Sequence, residues 1–165
     1  MNSHHHPLRG VFFLYNVAMK PTYPPFIVLG LILLQLLLLY LIPLYMNFTL
    51  LIGLVLLLAS VSIIAYSFKE LNKFETTYIP DGEPVKLVTS GPFKYSRHPI
   101  YGGMAGILFA VALLMQSLSA ILVPFLFILL INNTWIPHEE SKLEETFGKD
   151  WKSYSDKTKR WLFFN

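Results

Sequence analysis

Arg97-His98 and Glu139-Glu140 are the residues of this chain best equipped for chemistry. A guanidinium offers a planar fork of donors, an imidazole titrates near neutral pH, and adjacent carboxylates accept hydrogen bonds from an ammonium or a ribose diol. Phe93, Tyr95 and Tyr101 flank the first pair and present faces for an adenine or a cation. Gly91 leaves main-chain groups exposed, while Pro92 and Pro99 fix the chain direction on either side. This inventory fits a zwitterionic, nucleotide-like ligand.

The two pairs lie about forty residues apart, and the chain between them explains how they meet. Residues 21–68 and 98–138 contain no Asp, Glu, Lys or Arg. A helix rises about 1.5 Å per residue and the hydrocarbon core is about 30 Å thick, so one span takes roughly 20 apolar residues. Each stretch holds two spans: 26–45 and 48–67, broken at Pro43 and Asn47, then 101–116 and 120–136, with a kink expected at Pro124. Backbone at membrane depth must satisfy its own hydrogen bonds, and these runs lack the alternation of a barrel. The fold class is therefore all-α, a polytopic membrane bundle of about four spans in two tight hairpins. The second hairpin brings Arg97–Tyr101 and Glu139-Glu140 to one interface.

Composition agrees, with 54% hydrophobic and 14% charged residues. Residues 1–165 read as one membrane domain. An N-terminal interfacial segment runs to residue 25, within which Leu8–Met19 is too short to span. The first hairpin (26–67), a loop (68–100), the second hairpin (101–136) and a C-terminal helix with tail (137–165) follow. The N-terminus, the loop and the tail hold all thirteen Lys and Arg, so the positive-inside rule places both termini and the site in the cytoplasm. Leu143, Phe147, Trp151 and Tyr154 recur at helical spacing among charges, which makes an amphipathic cytosolic helix. Trp161-Leu162-Phe163-Phe164 is expected to insert at the interface. The absence of Cys excludes disulfides, thiolate metal sites and a thiol nucleophile. A net charge of +3 suits anionic headgroups, and no nucleic-acid motif is present.

In order, Leu87-Val88-x-x-Gly91, Arg97-His98-Pro99-x-Tyr101-x-Gly103 and Glu139-Glu140-x-x-Leu143-x-x-x-Phe147-Gly148-x-x-Trp151-x-x-Tyr154 resemble the isoprenylcysteine carboxyl methyltransferase and phospholipid N-methyltransferase superfamily of integral membrane enzymes. The resemblance covers about 86–161. It implies S-adenosylmethionine as methyl donor, held by Val85, Lys86, Leu87, Val88, Gly91, Phe93, Arg97, His98, Pro99, Ile100, Tyr101 and Glu139. Gly102 and Gly103 sit where the phospholipid enzymes carry a glycine-containing cofactor motif. The implied acceptor is lipid-like or a small apolar amine, thiol or carboxylate, arriving sideways from the bilayer. If it is an amine, His98 or Glu140 would take its proton. Trp135 stands where the isoprenylcysteine enzymes have a substrate-orienting arginine. An indole cannot neutralise a carboxylate, so Trp135 reads either as a contact for an amine or neutral acceptor or as an interfacial anchor.

Three rivals fare worse. A small four-helix transporter of cations would place an acidic residue inside a span, and these spans have none. A sterol-type membrane reductase using NADPH would need more spans and more basic residues. A metal site from His98, His138, Glu139 and Glu140 matches no strong ligand spacing, so no metal is expected.

Overall fold

The computed structural model describes residues 23–47, 49–75 and 85–162. The interfacial segment expected at Leu8–Met19, and Phe163-Phe164 of the tail, lie outside the described residues. Among the described residues six helices follow one another: α1 (Tyr23–Leu41), α2 (Leu50–Lys73), α3 (Pro99–Leu114), α4 (Leu122–Asn133), α5 (Trp135–Phe147) and α6 (Lys149–Ser155). Short 3-10 turns occupy Gly91–Lys94 and Ser119–Ile121. The helical, polytopic bundle expected from the apolar runs is present: α1, α2 and the run Ser119–Phe147 are long and apolar enough to cross a bilayer, and α3 is a shorter apolar helix.

The apolar side chains are distributed for lipid rather than water. Phe26, Leu33, Leu51, Leu58 and Leu129 all point outward, Leu51 with 72% of its surface exposed. Lipid tails are as apolar as leucine, so burial of Leu does not hold such helices together, and close backbone approach and hydrogen bonds do. On α2, Gly53, Ser60 and Ser67 are buried at seven-residue spacing. They present a small-residue face to α3. A Cβ at Gly103 would lie 2.5 Å from Ile64 Cγ1 and 3.0 Å from the Ser60 carbonyl oxygen. A Cβ at Gly53 would lie 3.0 Å from the Leu114 backbone nitrogen.

The far end of the bundle is pinned by polar groups. Gln35 of α1, fully buried, donates from Nε2 to the carbonyls of Leu108 (2.8 Å) and Ala120 (3.2 Å). Ser119 Oγ donates to the Ile42 carbonyl at 2.8 Å, and Thr49 Oγ1 to that of Leu113 at 2.8 Å. Tyr45 and Ser117 form an isolated antiparallel bridge between the two connections. With these ends joined, residues 97–101 and 135–140 share the opposite end.

Several expectations need correction. The first two spans do not form a tight hairpin: α1 packs on α3, α4 and the Ser119–Ile121 turn, which leaves α3 central between α1 and α2. Pro124 falls in the first turn of α4, where a missing N–H breaks no helix bond. The discontinuity comes instead at Thr134 (φ −120°, ψ −77°), between α4 and α5. The single amphipathic helix expected beyond Glu140 is divided into α5 and α6 at Gly148, whose positive φ of +49° is one that glycine reaches without a Cβ penalty. Trp161 does not project outward as expected of an inserted anchor. It is 3% exposed, packed with Val28, Tyr101, Ile131, Trp135 and Ile136.

The α2–α3 contact yields a paired test. Gly103→Ala is expected to cost about 1–3 kcal/mol by overpacking against Ile64 and Ser60. Gly102→Ala, with nothing within 4 Å of its new Cβ, should be neutral or slightly stabilising. Thermal unfolding in detergent distinguishes the two, and equal destabilisation would remove the small-residue contact as the cause.

Candidate functional site

The start of α3 is set by Pro99 at its first positions, which fixes the backbone and needs no N–H partner. Arg97 and His98 therefore sit at a rigid helix entrance. The segment after α6 crosses this entrance and hydrogen-bonds to it through main chain. Arg97 N–H donates to the Lys159 carbonyl at 2.8 Å, His98 N–H to that of Arg160 at 3.3 Å, and Ser96 Oγ to the same Arg160 carbonyl at 2.9 Å. Arg97 Nη1 also donates to the carbonyls of Ser155 and Thr158, each at 2.7 Å.

From the other side, α5 brings in its two carboxylates. Glu140 Oε1 accepts from Arg97 Nε (2.9 Å), His98 Nε2 (3.2 Å) and Arg160 Nε (3.2 Å), while Oε2 takes Arg160 Nη2 at 2.5 Å. Glu139 Oε2 lies 3.3 Å from His98 Nδ1, and its other oxygen accepts from the Tyr101 hydroxyl. The His98 ring stacks on Tyr101 with centroids 5.9 Å apart and 17° between planes. The imidazole thus has one carboxylate at each nitrogen and an aromatic face against it.

Glu139 and Glu140 are the first charged residues after the charge-free stretch 98–138. Burial alone would lower the His98 pKa. Hydrogen bonds to Glu139 and Glu140, with their negative charge, nevertheless hold it above the usual 6.5. Burial alone would raise the Glu140 carboxyl, but hydrogen bonds from His98 and Arg160, and the charges of His98 and Arg97, pull it down to about 2.

A second group of expected residues sits along the C-terminal end of α2. Gly91 has φ +59°, and a Cβ there would come within 3.1 Å of the Glu70 side chain. Glu70 accepts from Ser90 Oγ at 2.6 Å and pairs with Lys73 at 2.6 Å. Val88 is buried, Val85 is exposed, and Lys86 Nζ lies 4.9 Å above the Phe74 ring. Phe93 joins the site through its carbonyl, which accepts from Tyr154 Oη at 2.6 Å.

Arg97, His98, Tyr101, Glu139 and Glu140 form one connected network; Pro99 and Ile100 belong to the first turn of α3 beside it. Val85, Lys86, Leu87, Val88 and Gly91 lie in the segment that leads from α2 to the network, with Gly91 against Glu70 and Lys86 over Phe74. Trp135 lies one turn before Glu139, buried in the apolar cluster with Tyr101 and Trp161, and its Nε1 has no hydrogen-bond partner among the described residues. A cavity of about 510 Å³ opens beside Glu140, lined by Arg97, Pro137, Trp151, Ser155 and Arg160 among others. Sequence reasoning missed Arg160. Its signal is faint: one arginine, next to a tryptophan, in a tail of Lys, Ser and Thr.

The family model for phospholipid methyltransferases matches residues 48–150, from just before α2 to the start of α6. No curated protein and no solved structure matches the chain.

The network makes stability depend on pH in a definite direction. His98 has a raised folded-state pKa, so its contribution is complete below about 6.5 and is lost as pH rises through the folded value. Glu140 has a depressed one, so its contribution is complete above 4.5 and is lost as pH falls toward about 2. Unfolding temperature in detergent is expected to hold through mildly acidic pH and decline on the alkaline side. His98→Gln should abolish the alkaline decline; a variant retaining it would place the titrating group elsewhere.

Proposed function

Because the chain belongs to the phospholipid methyltransferase family, we propose that it transfers a methyl group from S-adenosylmethionine to a lipid-like amine at the cytoplasmic face of a membrane. The observation that carries this reading is the network itself: two polar signatures, brought together by the α3–α5 run, around one imidazole. The donor set fits the methyl donor. Glu139, 18% exposed at its side chain, suits an ammonium or ribose hydroxyls, Arg97 and Arg160 suit a carboxylate, and Phe93 and Tyr101 offer faces to an adenine. Gly91, Val85 to Val88, Pro99 and Ile100 would contribute backbone and apolar contacts. The open space beside the Cα of Gly102, one residue past Tyr101, leaves room for a ligand to approach the helix.

When bound, the sulfonium supplies an activated methyl group, and transfer then asks the protein mainly for alignment and exclusion of water. In this reading His98 handles the proton of an ammonium acceptor. With a carboxylate on each nitrogen the ring stays protonated. When Glu139 turns to a bound ammonium, Glu140 alone remains and the ring returns toward its ordinary range; the imidazolium then releases its proton to water, and the neutral ring accepts the proton of the acceptor. Glu140, held at about 2, is a weak base itself and acts as the fixed counter-charge of the ring. Trp135, buried and apolar in its surroundings, favours an amine or neutral acceptor over a carboxylate. The site and both termini face the cytoplasm in this account, on the distribution of Lys and Arg.

Calorimetric titration of detergent-purified protein with S-adenosylmethionine, its demethylated product and NADPH tests the reading. The first two should bind and NADPH should not. Glu139→Gln should weaken binding about tenfold or more, the scale of a lost charged hydrogen bond. Binding of NADPH alone would replace this function with a reductase.

A further inference from the structure

The residues after α6 act on the site in two separable ways. Their main chain docks on the entrance of α3 through the carbonyls of Ser155, Thr158, Lys159 and Arg160. Independently, the Arg160 side chain reaches both oxygens of Glu140, Nη2 to Oε2 at 2.5 Å and Nε to Oε1 at 3.2 Å. Arg97 reaches only Oε1. The terminal torsion of a glutamate is broad and nearly two-fold, so a carboxylate held at one oxygen can turn, whereas a two-pronged guanidinium fixes its plane. Arg160 is itself held: Nη1 lies 3.4 Å from Asn132 Oδ1, which also accepts from Trp161 Nε1 at 3.2 Å at the end of α4.

We propose that Arg160 is a positioning residue: by gripping both oxygens of Glu140 it fixes which of them meets His98, and through Glu140 it orients the imidazole. This rests on the reading of His98 as the proton-handling group. The charged groups around the ring are Glu139 and Glu140 from α5, Arg97 from its own segment, and Arg160 through Glu140, with the Tyr101 hydroxyl on Glu139. Arg160 lies beyond the residues matched by the family model, so its part is visible only in the folded chain.

The test is a titration of His98 by nitrogen NMR on histidine-labelled full-length protein in detergent micelles, with His98→Gln to assign the signal. In Arg160→Gln a cation leaves and Glu140 becomes freer to pair with the ring, so the His98 midpoint should move upward by at least about half a unit. Arg160→Lys, which keeps a cation without the fork, should give a smaller shift of the same sign. The main-chain docking bonds do not involve the Arg160 side chain, so both variants should fold; should Arg160→Gln fail to, Arg160→Lys alone decides. An unchanged midpoint overturns the proposal, including when the unfolding temperature falls, since that result assigns Arg160 to docking alone. The titration needs neither donor nor acceptor, so its failure is distinct from failure of S-adenosylmethionine to bind.

Discussion

The carboxylate of Glu140 is the point on which this structure turns. It collects Arg97 from the entrance of α3, His98 from the next position and Arg160 from the end of the chain, and so ties three segments distant in sequence into one site. Its side chain and that of Arg97 are only 14% and 10% exposed. A charge in that setting is tolerable because every oxygen is met by a donor, and removing one partner would leave the other buried and uncompensated. The imidazole inherits its state from this arrangement: Glu140 on one nitrogen, Glu139 on the other, Tyr101 across its face.

What aims these groups at one another is the opposite end of the bundle. In a bilayer, hydrophobicity places helices in lipid without choosing their neighbours, so the choice falls to small residues and buried polar groups. Gly53, Ser60 and Gly103 let α2 approach α3, and Gln35 clamps α1 to Leu108 of α3 and to Ala120 at the turn before α4. With α3 fixed at the centre, its first turn and the first turns of α5 open on the same side. Glu139 and Glu140 come directly after the charge-free stretch 98–138, so the charged groups of the site gather at the two ends of that stretch.

The sequence was most legible where one property decides the outcome. Charge-free stretches at 21–68 and 98–138 dictate spans, and the second of them folding on itself brings Arg97–Tyr101 to Glu139-Glu140. Helix partners were less legible: α1 reads as the mate of α2 because the connection is short, but Gln35 finds its acceptors on α3 and the turn before α4. Pro124 misled because its effect depends on where the helix starts, and α4 starts two residues earlier. Trp161 and Arg160 were hidden by context. A tryptophan and an arginine near a membrane ordinarily read as interfacial anchors, and only the turn after Ser155 carries one into the core and the other onto Glu140.

The ion pair across the hairpin is open to direct measurement by a double-mutant cycle on Arg97→Gln and Glu140→Gln, read as unfolding free energy in detergent. If the two side chains meet as described, each single variant strands a buried partner and the double variant is little worse than either, giving a coupling of about 1–3 kcal/mol. Additive losses, with no coupling, would mean that the two signatures do not touch and that Glu140 does not organise the site.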